Sequence, residues 1–519
     1  MSDSKNKKWF LPQTPEPYWR DSAPLPSFPK LQQNIETDVA IVGGGIVGLT
    51  SAYLLSKQGI KVTVIDSGRI LNGTTGHTTA KITAQHGLIY DQLINTSGET
   101  QARLYYEANS EAMNFIRRLV EEHTIDCDLS TQDAYVYTND DKYIEKIQNE
   151  KQAYDKLGIQ GEIVESLPLP IECKLAIVMR NQGQFHPLKY LSTLTTAITE
   201  SGGQIFEDTT ATDIEEGDKP KVLTRDGYTI SCKTVIVGSH YPFYDGKGLY
   251  FTRLHPDRSY VLAVKTEKDY PGGMYISAEQ PTRSLRYASV NGSEPLVLFG
   301  GECHKTGQSH HTLDHYKALK DFADQTFGIK EIPYRWSTQD LITLDQIPYV
   351  GEITSGSPNI LVATGFAKWG MTNGTAAALL LADLILKKEN RFYELYTPTR
   401  FNAKSTVKST KTFIKENSDV AVHLVQGKME NTGITPDILK EDEACVVSIK
   451  GKRAGAYRDT SGTLHLVDTT CTHMGCEVEW NNGERTWDCP CHGSRFSYSG
   501  EVVEGPALKP LKKVEQQQE

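Results

Sequence analysis

Six residues toward the C-terminal end of the sequence have the types and spacing of metal ligands. They fall in two short segments, CTHMGC (471 to 476) and CPCHGS (489 to 494). Cys471 and His473 in the first are followed, after fifteen intervening residues, by Cys489 and His492 in the second. Two thiolates and two imidazoles can close a tetrahedral zinc site. They can also divide between the irons of a two-iron, two-sulfur cluster, thiolates on one iron and neutral imidazoles on the other. Cys476 and Cys491 remain over at matching places in the two segments. A zinc site has no use for that pair, so the spacing favours the cluster and leaves zinc as its rival.

A second set of residues has the pattern of a dinucleotide turn. Gly43, Gly45 and Gly48 fit Gly-x-Gly-x-x-Gly. The first glycine permits a tight turn, the second lets backbone approach a pyrophosphate, and the third lets a helix pack closely on a strand. Asp66, about twenty residues on, can accept hydrogen bonds from ribose hydroxyls. A lone glycine pattern is weak evidence, but this one follows an expected strand and opens an expected helix. The turn alone does not separate NAD from FAD. Only one such turn occurs, whereas a flavin reductase fed by a nicotinamide normally needs two.

The elements that must position these residues can be read around them. DVAIV is a short apolar strand, IVGLTSAYLLSKQG a helix, and KVTVID the next strand, ending at Asp66. Further on, RLYYEANSEAMNFIRRLVEEH has helical spacing, and VLTRDGYTISCKTVIVG reads as a hairpin around Asp226-Gly227 leading into a buried strand. A last strong helix is expected from Gly374 to Lys388, opened by a Thr372 or Asn373 cap. Beyond a boundary near Asn431, short strands alternate with glycine turns, which suits a small all-β module. The expected organisation is a Pro-rich surface arm (1–35), an α/β body (36–415), a linker (416–432) and the all-β module (433–519).

Composition narrows the classes. The chain has 519 residues, a net charge of −10 and 38% hydrophobic residues, so nucleic acid is not an expected partner. Pro12, Pro15 and Pro17 interrupt any signal-peptide core. No apolar run reaches eighteen residues, and the expected location is the cytoplasm. The scattered Cys127, Cys173, Cys232, Cys303 and Cys445 read as small apolar residues. His310, His311, Asp314 and His315 are the one candidate for a mononuclear iron site, but they lack the right spacing.

Over residues 36 to 390 the sequence resembles the D-amino-acid oxidase and glycine oxidase superfamily of FAD enzymes. The resemblance rests on DVAIVGGGIVGLTSAYLL, GTTGHTTAKIT, GQFHPLKYL and TGFAKWGMTNGTAAALL. It implies a Rossmann-like FAD-binding domain with an α+β substrate domain inserted. It also implies flavin contacts from Thr75 and His77, and from Gly365, Trp369, Gly370, Met371 and Thr372 in the late segment. Some relatives tie the flavin covalently to a histidine placed like His77; the plainer expectation is a hydrogen-bonding histidine. Arg286, in RSLRYAS, is a candidate for holding a substrate carboxylate.

CTHMGC and CPCHGS resemble the Rieske proteins of cytochrome bc complexes. That resemblance implies a [2Fe-2S] cluster on Cys471, His473, Cys489 and His492, and a disulfide between Cys476 and Cys491. Ser494 matches a donor to cluster sulfur in those proteins, whereas Phe496 stands where they carry a tyrosine donor, which implies a lower potential. Together the resemblances imply an FAD-dependent oxidoreductase that takes hydride from a small amine or amino-acid-like substrate. It would pass electrons singly to the Rieske cluster and on to a one-electron partner of unknown identity. The alternative is a non-catalytic flavin and Rieske redox sensor.

Overall fold

The apolar runs expected to be strands assemble into a six-stranded sheet. Its order is Tyr349–Glu352, Ile360–Thr364, Thr234–Val237, Val39–Val42, Val62–Ile65, Gln204–Phe206. All neighbours are parallel except the first pair. Val39–Val42 and Val62–Ile65 are buried at every position, as parallel strands covered on both faces must be. Helix Ile46–Ser56 follows the first of them and packs on helix Gly370–Ile385. Their close approach depends on Gly374, where a Cβ would lie 2.9 Å from Ile46 Cγ2. In the computed structural model the described residues are 10–245, 248–290, 292–309, 311–400, 417, 420, 435–449 and 451–515.

A second, nine-stranded mixed sheet carries the inserted region. Its long strands Leu254–Thr266, Leu296–Lys305 and Ile329–Thr343 pair antiparallel, and the short strand Lys81–Ile82 forms its far edge. Helix Glu99–Glu122 buries Ala102, Tyr105, Ala108, Ala112, Ile116 and Leu119 on one stripe. The hairpin around Asp226-Gly227 joins Lys221–Thr224 to Thr229–Ser231, with Gly227 at φ 85°. Beyond a short 3-10 turn at Pro436–Ile438, the regular elements among the described residues are all β strands. Three strands (Glu443–Ile449, Lys452–Arg458, Leu464–Asp468) and four (Glu479–Asn481, Thr486–Asp488, Arg495–Ser497, Val502–Glu504) form two antiparallel sheets.

Two expectations are corrected. The N-terminal arm does not merely lie on the surface: Tyr18 and Trp19, in a short helix, are 5% and 1% exposed. The Trp19 indole donates to the Thr78 carbonyl at 2.7 Å, so apolar burial and one satisfied N–H pin the arm. The late helix begins at Gly370, four residues before the expected start. Thr372 and Asn373 therefore lie inside it. Thr372 donates to the Thr83 carbonyl and Asn373 to the Tyr105 hydroxyl, so neither caps the helix. The expected linker lies outside the described residues apart from Asn417 and Val420, as do residues 1–9 and His310. Among the described residues no helix is long and apolar enough to cross a membrane.

Candidate functional site

Two loops of matching geometry carry the cysteines and histidines. In the first, the Cys471 amide donates to the Cys476 carbonyl and the Gly475 amide to the Cys471 carbonyl. In the second, Cys489 donates to Ser494 and Gly493 to Cys489 in the same pattern. Gly475 and Gly493 take φ 78° and 76°, the left-handed conformation that lets each loop fold back. The Cys476 and Cys491 sulfurs form a disulfide, with Cα atoms 6.6 Å apart, that ties one loop to the other. Cys471 and Cys489 remain free thiols, 2% and 1% exposed. Hydrogen bonding from Cys489, then from the His473 amide and Ser494, outweighs burial and brings the Cys471 thiol down to about 7.

The His473 and His492 rings stand 5.1 Å apart and nearly perpendicular. Burial holds both imidazoles neutral, His492 down to about 4. The Nδ1 atom of each is buried without a hydrogen-bond partner. Orphaned buried nitrogens are costly unless something binds them. Two free buried thiols beside two orphaned imidazole nitrogens are the donor set of a two-iron cluster with mixed ligation, so the residues fit that group. Among the described residues, His311, Asp314 and His315 form no rival iron site: His315 bonds to Glu302 and packs against both Tyr260 and His304.

A cavity of about 550 Å³ opens beside the dinucleotide turn. Gly43, Gly45 and Asp66 line it on one side, with Thr75 and His77 next to them. The Asp66 carboxylate accepts from the Gly44 and Gly68 amides at 2.8 and 3.0 Å, which fixes it at the strand end while burial raises its pKa. Trp369, Gly370 and Met371 bring the start of the late helix to the same cavity. That start carries no side-chain cap, and a Cβ on Gly370 would meet nothing within 4 Å. Open helix amides and a glycine-lined space suit an extended anionic cofactor, so these residues fit a bound FAD. His86 stacks on Trp369 at 4.7 Å and holds it in place.

Gly365 and Thr372, expected at the flavin, lie outside the cavity lining, as does Gly48, whose expected part is close packing of the helix. Gly48 lets helix meet turn: its Cβ would lie 1.9 Å from the Gly43 carbonyl. Gly365 turns at φ 79° against Thr343, and Thr372 faces Thr83 and His86. Arg286 is likewise corrected. It is 2% exposed, donates to the Ala80 and Tyr287 carbonyls, and lies over the Trp19 ring, outside the cavity lining. The His77 Nδ1 donates to the Gly73 carbonyl at 3.0 Å.

Other residues, not singled out as site candidates from the sequence, also line the cavity. Lys81 donates to Ser284 Oγ at 2.8 Å and to the Tyr275 carbonyl at 3.2 Å, and burial brings its pKa down to about 7. Lys368 pairs with Asp340 at 2.8 Å. Cys303 lies beside Ser259. Tyr241 is 5% exposed, lines the cavity, and turns its ring edge to His473 at 6.5 Å. Phe251 meets His492 in the same manner at 5.9 Å. The histidine edge of the cluster site therefore faces the body that holds the dinucleotide turn.

Docking of the two parts is extensive and polar. Thr312 donates to Asn481, the Leu313 amide to Asn482, and Tyr316 to Glu484. Arg335, 4% exposed, reaches the Gly483 carbonyl, and fully buried Arg258 pairs with Glu504 at 3.3 Å.

The geometry defines a flavoprotein body carrying an iron-sulfur module, and comparison with known proteins agrees. Residues 38–384 match the family described as FAD dependent oxidoreductase, and residues 434–515 match the Rieske [2Fe-2S] domain. The chain belongs to the FAD dependent oxidoreductase family and carries a Rieske domain; its cofactors are FAD and a [2Fe-2S] cluster. It is 53% identical to YhfW of Bacillus subtilis (strain 168), a protein named for a Rieske 2Fe-2S centre, over 98% of this chain and 99% of that one. It is 26% identical to gamma-glutamylputrescine oxidoreductase of Escherichia coli (strain K12), over 70% of this chain and 87% of the relative. Glycine oxidase from Geobacillus kaustophilus shares the fold at a TM-score of 0.61 and 20% identity, covering 71% of this chain and 100% of that one.

Proposed function

We propose that the chain oxidises a small amine or amino-acid-like substrate in the cavity and passes the electrons singly to the Rieske cluster. The observation that carries this reading is Tyr241, which lines the cavity and meets the ligand His473 edge-on. When bound, FAD supplies hydride acceptance and release of electrons one at a time. The chain's own residues orient the reactants. The uncapped start of helix Gly370–Ile385 stabilises negative charge at the cavity, and His86 fixes Trp369 in its wall. Lys81 is held by neutral partners alone, which suits it to meet a substrate carboxylate, the task first expected of Arg286. His77 is proposed to serve as a hydrogen-bonding histidine at the cavity, oriented by its Nδ1 bond to the Gly73 carbonyl. The likeness to gamma-glutamylputrescine oxidoreductase supports an amine-type substrate.

The test is anaerobic mixing of the purified protein with amines, N-methyl amino acids, 2-hydroxy acids and NADH, following flavin absorbance and the spin signal of the reduced cluster. Bleaching by an amine or amino acid, with the cluster signal following, is the expected result. Reduction by NADH alone, or by nothing in the panel, overturns the reading, the second outcome in favour of a redox sensor.

A further inference from the structure

Eight residues of the Rieske domain line the cavity that the dinucleotide turn opens: Arg495 and the continuous run from Val502 to Leu508. This run ends the last strand, Val502–Glu504, and crosses to the body. At its far end the Leu508 carbonyl accepts from Arg225 at 2.6 Å. The Arg225 amide donates to the Thr210 carbonyl, and the preceding Thr209 amide donates to the carbonyl of Asp66. Leu508 therefore sits at the Asp66 end of the groove, where a ribose is held in this kind of turn. At its near end Glu504 pairs with Arg258 from the body and with Arg495 from its own domain. Arg258 is fully buried and lies outside the cavity lining, so its part is to latch the run down.

The same run is anchored to both ligand loops. The Ala507 amide donates to Ser494 Oγ at 3.0 Å, and the Thr472 hydroxyl donates to the Lys509 carbonyl at 2.5 Å. Thr472 lies between the ligands Cys471 and His473, and Ser494 two residues after the ligand His492. One short stretch of backbone thus touches the first cluster loop, the second cluster loop and the nucleotide groove.

We propose that the Rieske domain is a structural part of the FAD site. Residues 502–508 wall the dinucleotide groove, and the two cofactors are retained together because the ligand loops hold that wall. FAD leaves only when the wall lifts, which requires breaking the Arg258–Glu504 pair and the Arg225 contact. Nothing in this depends on which substrate is oxidised.

The experiment uses the full-length protein loaded with both cofactors, and follows FAD release on dilution by the fluorescence of free flavin. Cluster absorbance is recorded in parallel. Arg258→Met removes the latch at a residue that is not itself in the cavity lining. Arg225→Ala removes an exposed side chain, so it keeps the test open should the buried variant fold poorly. Release is expected to be about ten-fold faster in Arg258→Met, the scale of one charge-assisted contact, and a few-fold faster in Arg225→Ala, with cluster absorbance retained in both. Release at the wild-type rate in both variants overturns the proposal. Acceleration in a folded, cluster-loaded protein by Arg225→Ala alone also overturns it, since that marks direct contact of Arg225 with the cofactor. Should Arg258→Met not fold, the wild-type protein stripped of its cluster by a chelator replaces it. Faster FAD release than from the loaded protein is then expected, and an unchanged rate is contradictory.

Discussion

Replacing Gly307 by alanine should loosen the two parts of the molecule by pressing on the second ligand loop, outside the flavin cavity lining. Gly307 sits at φ 73°, and a Cβ there would lie 2.6 Å from Pro490 N, 2.7 Å from Pro490 Cα and 2.8 Å from the Cys489 carbonyl carbon. All three are backbone atoms of the second ligand loop, so no side chain can swing aside. The loop must retreat by about 0.8 Å to reach the 3.4 Å where ordinary contact begins. A forced shift of this kind costs about 1–3 kcal/mol, and it is felt only while the domains are docked. Alanine in the left-handed region costs a further ~1–2 kcal/mol, docked or not. Gly59→Ala isolates that second cost, because Gly59 has φ 75° and nothing within 4 Å of its Cβ position. The docked population should thus fall about 5- to 150-fold in Gly307→Ala relative to Gly59→Ala. Hydrogen exchange reads this directly at the Leu313 and Gly483 amides, which donate across the interface to Asn482 and Thr312. Equal protection of those amides in the two variants would refute the reasoning.

Three further outcomes follow from the site. Cys476→Ser opens a disulfide whose cysteines are 15 residues apart; this should cost about 3 kcal/mol and lower the temperature at which cluster absorbance is lost, and an unchanged temperature would contradict it. Phe496→Tyr places a hydroxyl in the buried core shared by Cys471 and Cys489. A redox titration should show the cluster potential rising by about 60 mV for each 1.4 kcal/mol by which the new bond favours the reduced state, and no upward shift counts against the assignment. Burial brings His86 down to about 3, below its ordinary value of 6.5, so the unfolded chain binds a proton that the folded one refuses. The His86 contribution is complete above pH 6.5 and is lost, at about 1.4 kcal/mol per pH unit, as pH falls from 6.5 toward 3. His86→Gln should flatten the dependence of denaturation midpoint on pH in that range, and an unaltered slope would exclude the role.

The local chemistry was legible because it is local. The ligand loops, the glycine turn and the strand ending at Asp66 are each defined by residues a few positions apart, and physical demands on spacing leave few readings. The family resemblances then supplied the cofactors. What could not be read depends on contacts between distant segments. Tyr241 carries no motif, yet the docked domain brings His473 against it. Lys81 looks like a polar residue on an edge strand until Ser284, 203 positions away, turns toward it. Arg286 had the appearance of a carboxylate clamp, but the arm expected on the surface sends Trp19 beneath it and main-chain carbonyls take up its donors. The late helix was placed too far along because Thr372 and Asn373 are good caps by type, while here their side chains are used for bonds to Thr83 and Tyr105.

The central claim is that electrons pass from the flavin to the cluster within one docked chain. The most direct measurement is rapid anaerobic mixing of the holoenzyme with a reducing substrate found in the panel, recording flavin bleaching and cluster reduction over a wide range of protein concentration. The account predicts cluster reduction following flavin bleaching at a first-order rate independent of protein concentration. A rate rising in proportion to protein concentration, or a cluster that stays oxidised while the flavin is fully bleached, would contradict it.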